Sequence, residues 1–166
     1  MAMSVNGIIA GEDGSEDFLS HDNWQTFASL VHEFGNFIVG SRTYEAVKNW
    51  DEGYGFSDFP EAKKIIISDD PDYDLDKGYF VASSPEDAVT FLQKEGFEKA
   101  LLTGGATTNS SFAKAGLIHE MILNVEPIVL GKGLSLFLPA DFQLSLELLE
   151  SKPMNNLLQL RYKVIV

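Results

Sequence analysis

The chain has 166 residues, 45% of them hydrophobic, which fits one domain burying roughly two thirds of its unfolded surface and excludes a second sizeable one. With 12 Lys and Arg against 25 Asp and Glu the net charge is -13, and Arg42 and Arg161 are the only arginines, so a surface that neutralises many nucleic-acid phosphates is hard to assemble. Cysteine is absent, which excludes a disulfide framework, cysteine-ligated zinc, iron–sulfur clusters and thiol nucleophiles.

Met1 to Ile9 is apolar and β-prone and ends in the loop residues Gly11-Glu-Asp-Gly14. This start has no basic flank, and no apolar run in the chain is long enough to cross a bilayer, so a cytoplasmic protein is expected. Asn23 to Phe34 carries Phe27, Leu30, Val31 and Phe34 at helical spacing, with Asp22 or Ser20 as cap, and leads into a short buried strand at Asn36-Phe-Ile-Val39. Thr43 to Trp50 reads as a helix, Gly53 to Pro60 as a loop, and Lys64 to Ile67 as a strand. Asp69 to Asp76 is an acidic exposed turn, and Tyr79 to Val81 a further strand.

Ser84-Pro-Glu-Asp87 combines a cap, a proline in the first turn and acids at the positive end of a helix dipole. Ala100 to Thr103 reads as a strand entering Gly104-Gly105, followed by a helix over Asn109 to Ala115. Met121 to Val129, Leu144 to Leu149 and Leu157 to Val166 are strands, the last two joined as a hairpin across Pro153 to Asn156. Alternating strands and helices followed by antiparallel strands predict a single α/β domain over residues 1–166, with a central mixed, mostly parallel sheet flanked by helices and a C-terminal hairpin.

The strongest chemical signal is Leu101-Leu-Thr-Gly-Gly-Ala-Thr-Thr-Asn-Ser-Ser111: a strand, two glycines, and a helix start rich in hydroxyls. Glycines let the backbone approach a ligand, and unpaired N–H groups at the helix start favour a phosphate, although a ligand-free strand-to-helix turn has the same pattern. Gly40-Ser-Arg-Thr-Tyr-Glu45 repeats the arrangement after another short strand. Two such starts at one sheet edge suit the phosphates of a dinucleotide. His21, His32 and His119 lack metal-ligand spacing, so no metal is expected, and Glu120 reads as structural.

Met1 to Ala10, Phe37 to Glu45, Ile65 to Ser68, Leu102 to Ala106 and Ala115 to Phe137 together resemble the dihydrofolate reductase-like superfamily, near the reductase domain of the bifunctional riboflavin-biosynthesis deaminase/reductase. The resemblance covers nearly the whole chain and implies a NAD(P)H-dependent reductase. It implies cofactor contacts at Gly104, Gly105, Ala106, Thr107 and Thr108, at Gly40, Ser41, Arg42 and Thr43, and at Ser68 and Asp69, with nicotinamide near Ala2, Ile9 and Thr103. It also implies a cis peptide at the double glycine. Ser41 stands where relatives using the phosphorylated cofactor carry arginine, and Asp69 where they carry a small hydroxyl residue; Arg42 offsets this, so NADPH is expected over NADH.

On the substrate side, pterin reductases place an acid one turn before a phenylalanine. With Phe27 as that residue, Asn23 fills the slot and Asp22 is adjacent. Two readings follow: Asp22 serves as catalytic acid, or the Asn23 amide grips the substrate and water carries the proton. Asp22 also fits a helix cap paired with Gln25. Asn124 falls at a polar pocket position, and Asn109 where dihydrofolate reductases carry tyrosine. Ala62 replaces the arginine that holds a glutamate tail, leaving Lys63 or Lys64. The expected substrate is a pterin, 7,8-dihydrofolate first, in one-carbon metabolism. The alternatives are a ribosylamino-pyrimidine of riboflavin biosynthesis and a non-catalytic nucleotide or pterin binder. A small-molecule partner, no nucleic acid, no membrane, and a monomer or homodimer complete the expectation.

Overall fold

Ser84 starts a helix as its chemistry requires: its backbone is extended and its Oγ accepts from the Asp87 backbone N–H at 3.1 Å. The computed structural model describes residues 1–50 and 53–165. In chain order its elements are β1 (Ala2–Ser4), β2 (Ile8–Ala10), α1 (His21–Phe34), β3 (Asn36–Gly40), α2 (Ser41–Val47), β4 (Lys63–Ile67) and β5 (Tyr79–Ala82). They continue with α3 (Pro85–Lys94), α4 (Ala106–Lys114), β6 (Glu120–Glu126), β7 (Leu134–Ser135), β8 (Ser145–Met154) and β9 (Leu157–Ile165). No described helix is long and apolar enough to cross a membrane.

The chain forms two compact units, Trp24–Thr108 and Met1–Asn23 with Asn109–Val166. In the first, β3, β4 and β5 make a parallel sheet in that order, Gly40 lying opposite Ile67. Phe37, Ile38, Val39, Ile65 and Ile66 are completely buried, as continuous apolar runs in parallel strands should be. The core is aromatic: Phe37 packs on Phe56 at 4.9 Å and on Phe27 at 5.6 Å between ring centroids, and Trp24 stands 6.5 Å from Trp50. Tyr44 is fully buried within it and donates its hydroxyl to Asp76 at 2.8 Å.

Against the free edge of β3 runs the segment 101–104. Ile38 N donates to Leu101 O at 2.8 Å, Thr103 N to Ile38 O at 2.9 Å, and Gly40 N to Gly104 O at 2.8 Å. The strand expected over Ala100 to Thr103 is reduced to one parallel bridge between Ile38 and Leu102, because the backbone leaves the edge at Gly104, where φ is +95°. The other unit holds a four-stranded sheet in the order β1-β6-β9-β8 and a two-stranded sheet of β2 and β7.

Several boundaries differ from expectation. The single strand over Met1 to Ile9 is two, β1 and β2, split by a turn in which Gly7 N donates to Ser4 O at 3.0 Å. Helix α1 starts at His21, which puts Ser20 before the helix and Asp22 inside its first turn. Helix α2 begins directly after β3 and ends at Val47, and α4 begins at Ala106 rather than Asn109. Strand β6 stops at Glu126, before Pro127. Pro153 and Met154 lie within β8, an edge strand that tolerates proline, and the turn is carried by Asn155 with φ +48°. Val166, expected to end the last strand, lies outside the described residues. The sheets are mixed but not mostly parallel: β1–β6, β3–β4 and β4–β5 are parallel, while β2–β7, β6–β9 and β8–β9 are antiparallel.

Candidate cofactor and substrate sites

The chain runs from β3 to one neighbouring strand, β4, and reaches the opposite edge of β3 only at residues 101–104. The carboxyl end of β3 is therefore a switch point, where open parallel sheets leave a crevice for ligands. Two helices start there. Gly40 is followed at once by Ser41 of α2, and Gly104-Gly105, joined by a cis peptide, by Ala106 of α4. The two starts interlock. A Cβ on Gly40 would collide with Thr108 Oγ1, and one on Gly105 would stand 3.0 Å from Thr43 Oγ1. Gly40 has φ -77°, so its glycine is required by space and not by backbone conformation.

The expected cofactor residues in the unit Trp24–Thr108 thus gather at one edge. Thr108, Ala106 and Gly104 are buried, Ser41, Thr43 and Gly105 partly so, and Arg42 and Thr107 exposed. Thr103 Oγ1 donates to Ile38 O at 3.0 Å. Ser68, buried, and Asp69, exposed, follow the carboxyl end of β4, and the Ser68 hydroxyl accepts from Asp70 N at 3.2 Å. The two helix starts bring together hydroxyls, N–H groups and a guanidinium, the donor types that suit an anion. The other arginine is engaged elsewhere: Arg161 Nε and Nη2 both donate to Glu120 Oε2, at 2.9 and 2.7 Å, which gives Glu120 its structural role.

The unit built from Met1–Asn23 and Asn109–Val166 contains a polar chain on one sheet face. Register places Ala2 and Gln159 on either side of Asn124. Gln159 Nε2 donates to Asn124 Oδ1 at 3.0 Å, and Asn124 Nδ2 donates to Asn23 Oδ1 at 3.0 Å. Asn23 Nδ2 then donates to Glu126 Oε1 at 2.6 Å, where Ser20 N and Ser20 Oγ also donate, at 2.8 and 2.6 Å. Glu126 is 6% exposed and is the one carboxylate among the buried described residues. Asn23 and Asn124 are therefore brought together, and Glu126 and Gln159, which the sequence alone does not single out, join them.

Asp22 accepts from Asn155 Nδ2 at 2.8 Å, at the turn of the β8–β9 hairpin. Phe27 belongs to the aromatic core of the other unit, and Ile9 is buried in β2. Asn109 is buried and donates to Leu136 O at 2.9 Å. Neither lysine considered for a glutamate tail is presented to one. Lys63 pairs with Glu95 at 2.7 Å, while Lys64 is buried with its Nζ 5.3 Å from the Tyr79 ring centre, and burial lowers its pKa. A cavity of about 540 Å³ lies beside α2, lined by Tyr44, Lys48, Trp50, Phe56, Asp76 and Tyr79 among others; none of the expected site residues lines it. No group of His, Cys, Asp and Glu able to hold a metal occurs among the described residues.

The family model of the RibD C-terminal domain matches residues 1–160. The chain belongs to the RibD C-terminal domain family. With that membership it is an oxidoreductase of the dihydrofolate reductase-like class. It is 28% identical over 166 residues to the uncharacterized protein YwjB of Bacillus subtilis, covering 98% of this chain and 94% of that one. A crystal structure from Shewanella sp. PV-4, of a protein provisionally assigned to riboflavin biosynthesis, matches with TM-score 0.83 at 25% identity, over 100% of this chain and 97% of that one. The dihydrofolate reductase of Enterococcus faecalis, complexed with NADP(H), shares the fold with TM-score 0.74 at 17% identity, over 98% and 92%. These RibD-family and dihydrofolate reductase relationships match the superfamily and the branch that the sequence motifs resemble.

Proposed function

We propose that this RibD-family chain is an NADPH-dependent reductase of a ribosylamino-pyrimidine in riboflavin biosynthesis, with residues 1–166 serving as one reductase domain. The observation that carries the reading is the interlocked pair of helix starts at the carboxyl end of β3. The donor set suits the cofactor: hydroxyls of Ser41, Thr43, Thr107 and Thr108 and the Arg42 guanidinium are the chemistry that binds phosphate. Asp69, past the end of β4, would accept from a ribose hydroxyl. The cofactor, once bound, supplies the hydride, and the protein binds, orients and excludes water. Thr103, in the unit that carries the two helix starts, would stand at the nicotinamide. Asn23 and Asn124 would read the ring of the substrate, and Asp22 would border that region.

Two features favour a pyrimidine over dihydrofolate. The family is that of the riboflavin-pathway reductase domain, and Lys63 and Lys64 are both committed within their own unit, which leaves a glutamate tail without its cation. Reduced-nicotinamide absorbance, followed with NADPH and NADH against the ribosylamino-pyrimidine and dihydrofolate, tests the reading. Oxidation of NADPH only with the pyrimidine is expected, and turnover of dihydrofolate alone would reverse the assignment.

A further inference from the structure

Resting on the pyrimidine-reductase reading, we propose that Glu126 is the carboxylate that meets the substrate, its Oε2 accepting hydrogen bonds from ring N–H groups of the pyrimidine.

The argument begins with the two oxygens of one side chain. Among the described residues Oε1 receives three donors: the Ser20 backbone N–H, the Ser20 hydroxyl and the Asn23 amide. No described side-chain oxygen or nitrogen that is sealed from solvent lacks a partner, so Oε2, which has no partner among the described residues, reaches an accessible surface. A carboxylate withdrawn almost completely from water, with one oxygen saturated and the other open, suits a ligand that brings N–H donors.

Glu126 also sets the direction of the polar chain. Glu126 Oε1 accepts from every donor it meets, so Asn23 turns its NH₂ toward it and its carbonyl toward Asn124. Asn124 must then offer NH₂ to Asn23 and its carbonyl to Gln159. The outcome is a fixed row of donors and acceptors beside one open carboxylate oxygen. A pyrimidinedione presents ring N–H and C=O groups alternately, the complement of such a row.

The competing reading is structural: Glu126 sits at the N-terminal end of α1 and could serve only to hold Ser20 and Asn23 there. Glu126→Gln separates the two. The glutamine carbonyl can still accept from Ser20 and Asn23, while its NH₂ replaces Oε2 and turns an acceptor into a donor. Ser20→Ala serves as control, since it removes one donor to Oε1 and leaves Oε2 intact.

The probes are 5,6-diaminouracil, which carries both ring N–H groups, and its 1,3-dimethyl derivative, which carries neither, titrated into the NADPH-loaded full chain by calorimetry. The wild-type chain should prefer the unmethylated probe by about tenfold or more, in keeping with charge-assisted hydrogen bonds. Glu126→Gln should abolish that preference with NADPH affinity unchanged, and Ser20→Ala should retain it. A Glu126→Gln chain that keeps the preference would overturn the role of Glu126 and leave the reductase reading standing. A wild-type chain that binds NADPH but neither probe would overturn the pyrimidine reading, and this proposal with it.

Discussion

At the scale of single residues, Asp69 and Glu16 carry charge consequences that experiment can read. Asp69 is exposed just past the carboxyl end of β4, the strand paired with β3, at whose end the proposed cofactor loop begins. A carboxylate there repels a 2′-phosphate through water, so Asp69→Ser should improve the affinity for NADPH over NADH by a factor on the order of five, less at high salt. Equal change for both cofactors would place Asp69 away from the ribose. Glu16 is partly buried, and desolvation pushes its carboxyl from 4.5 up to about 7. Between those values the folded chain holds a proton that the unfolded chain has released, so stability falls as pH rises through this window and levels off above it. Glu16→Gln should therefore raise the melting temperature at pH 8 and change it little at pH 4, as scanning calorimetry at the two pH values would show.

At the scale of elements, the meeting of α2 and α4 is the sharpest constraint. Gly40→Ala has an acceptable backbone conformation, yet its methyl would collide with Thr108 Oγ1. The variant should lose stability by about 1–3 kcal/mol, as overpacked sites do, and should weaken NADPH binding. Thr108→Ala removes that oxygen and leaves a Cβ at 3.7 Å, an ordinary contact, so the double variant should recover most of the stability. Denaturant unfolding of the four chains measures the coupling, and strictly additive losses would show that the contact is slack.

The same scale shows what local sequence could reveal. Ser84-Pro85 announced α3 because cap and proline act within one turn, and Lys64 to Ile67 announced β4 because a buried parallel strand is a continuous apolar run. The two strand–glycine–helix turns were legible for the same local reason, although α2 begins at Ser41 and α4 at Ala106, each a few residues earlier than expected. Strand β7, two residues long, has no periodicity to detect, and β1 and β2 read as one strand because the turn between them is flanked by apolar residues on both sides. Glu126 was illegible for a different reason: a carboxylate before Pro127 reads as a surface residue, and its hydrogen-bond donors, Ser20 and Asn23, lie more than a hundred positions earlier in the chain.

At the scale of the molecule, the superfamily, the mixed α/β architecture and the reductase class were all legible, because they depend on the order and spacing of many weak segments together. The balance of strand directions was not. It depends on which strands become neighbours, and three antiparallel pairings arise from β7, β8 and β9, whose partners local patterning does not specify.

The placement of the two tryptophans gives the molecule an optical asymmetry. Trp24 and Trp50 are the only ones in the chain, and both belong to the aromatic core of the unit Trp24–Thr108. Tryptophan emission, excited where tyrosine does not absorb, therefore watches that unit alone, while the four-stranded sheet and its hairpin stay dark at those wavelengths. A melt followed by emission and again by far-ultraviolet dichroism compares the glowing half with the whole, and coincident curves would mark the two units as one cooperative body.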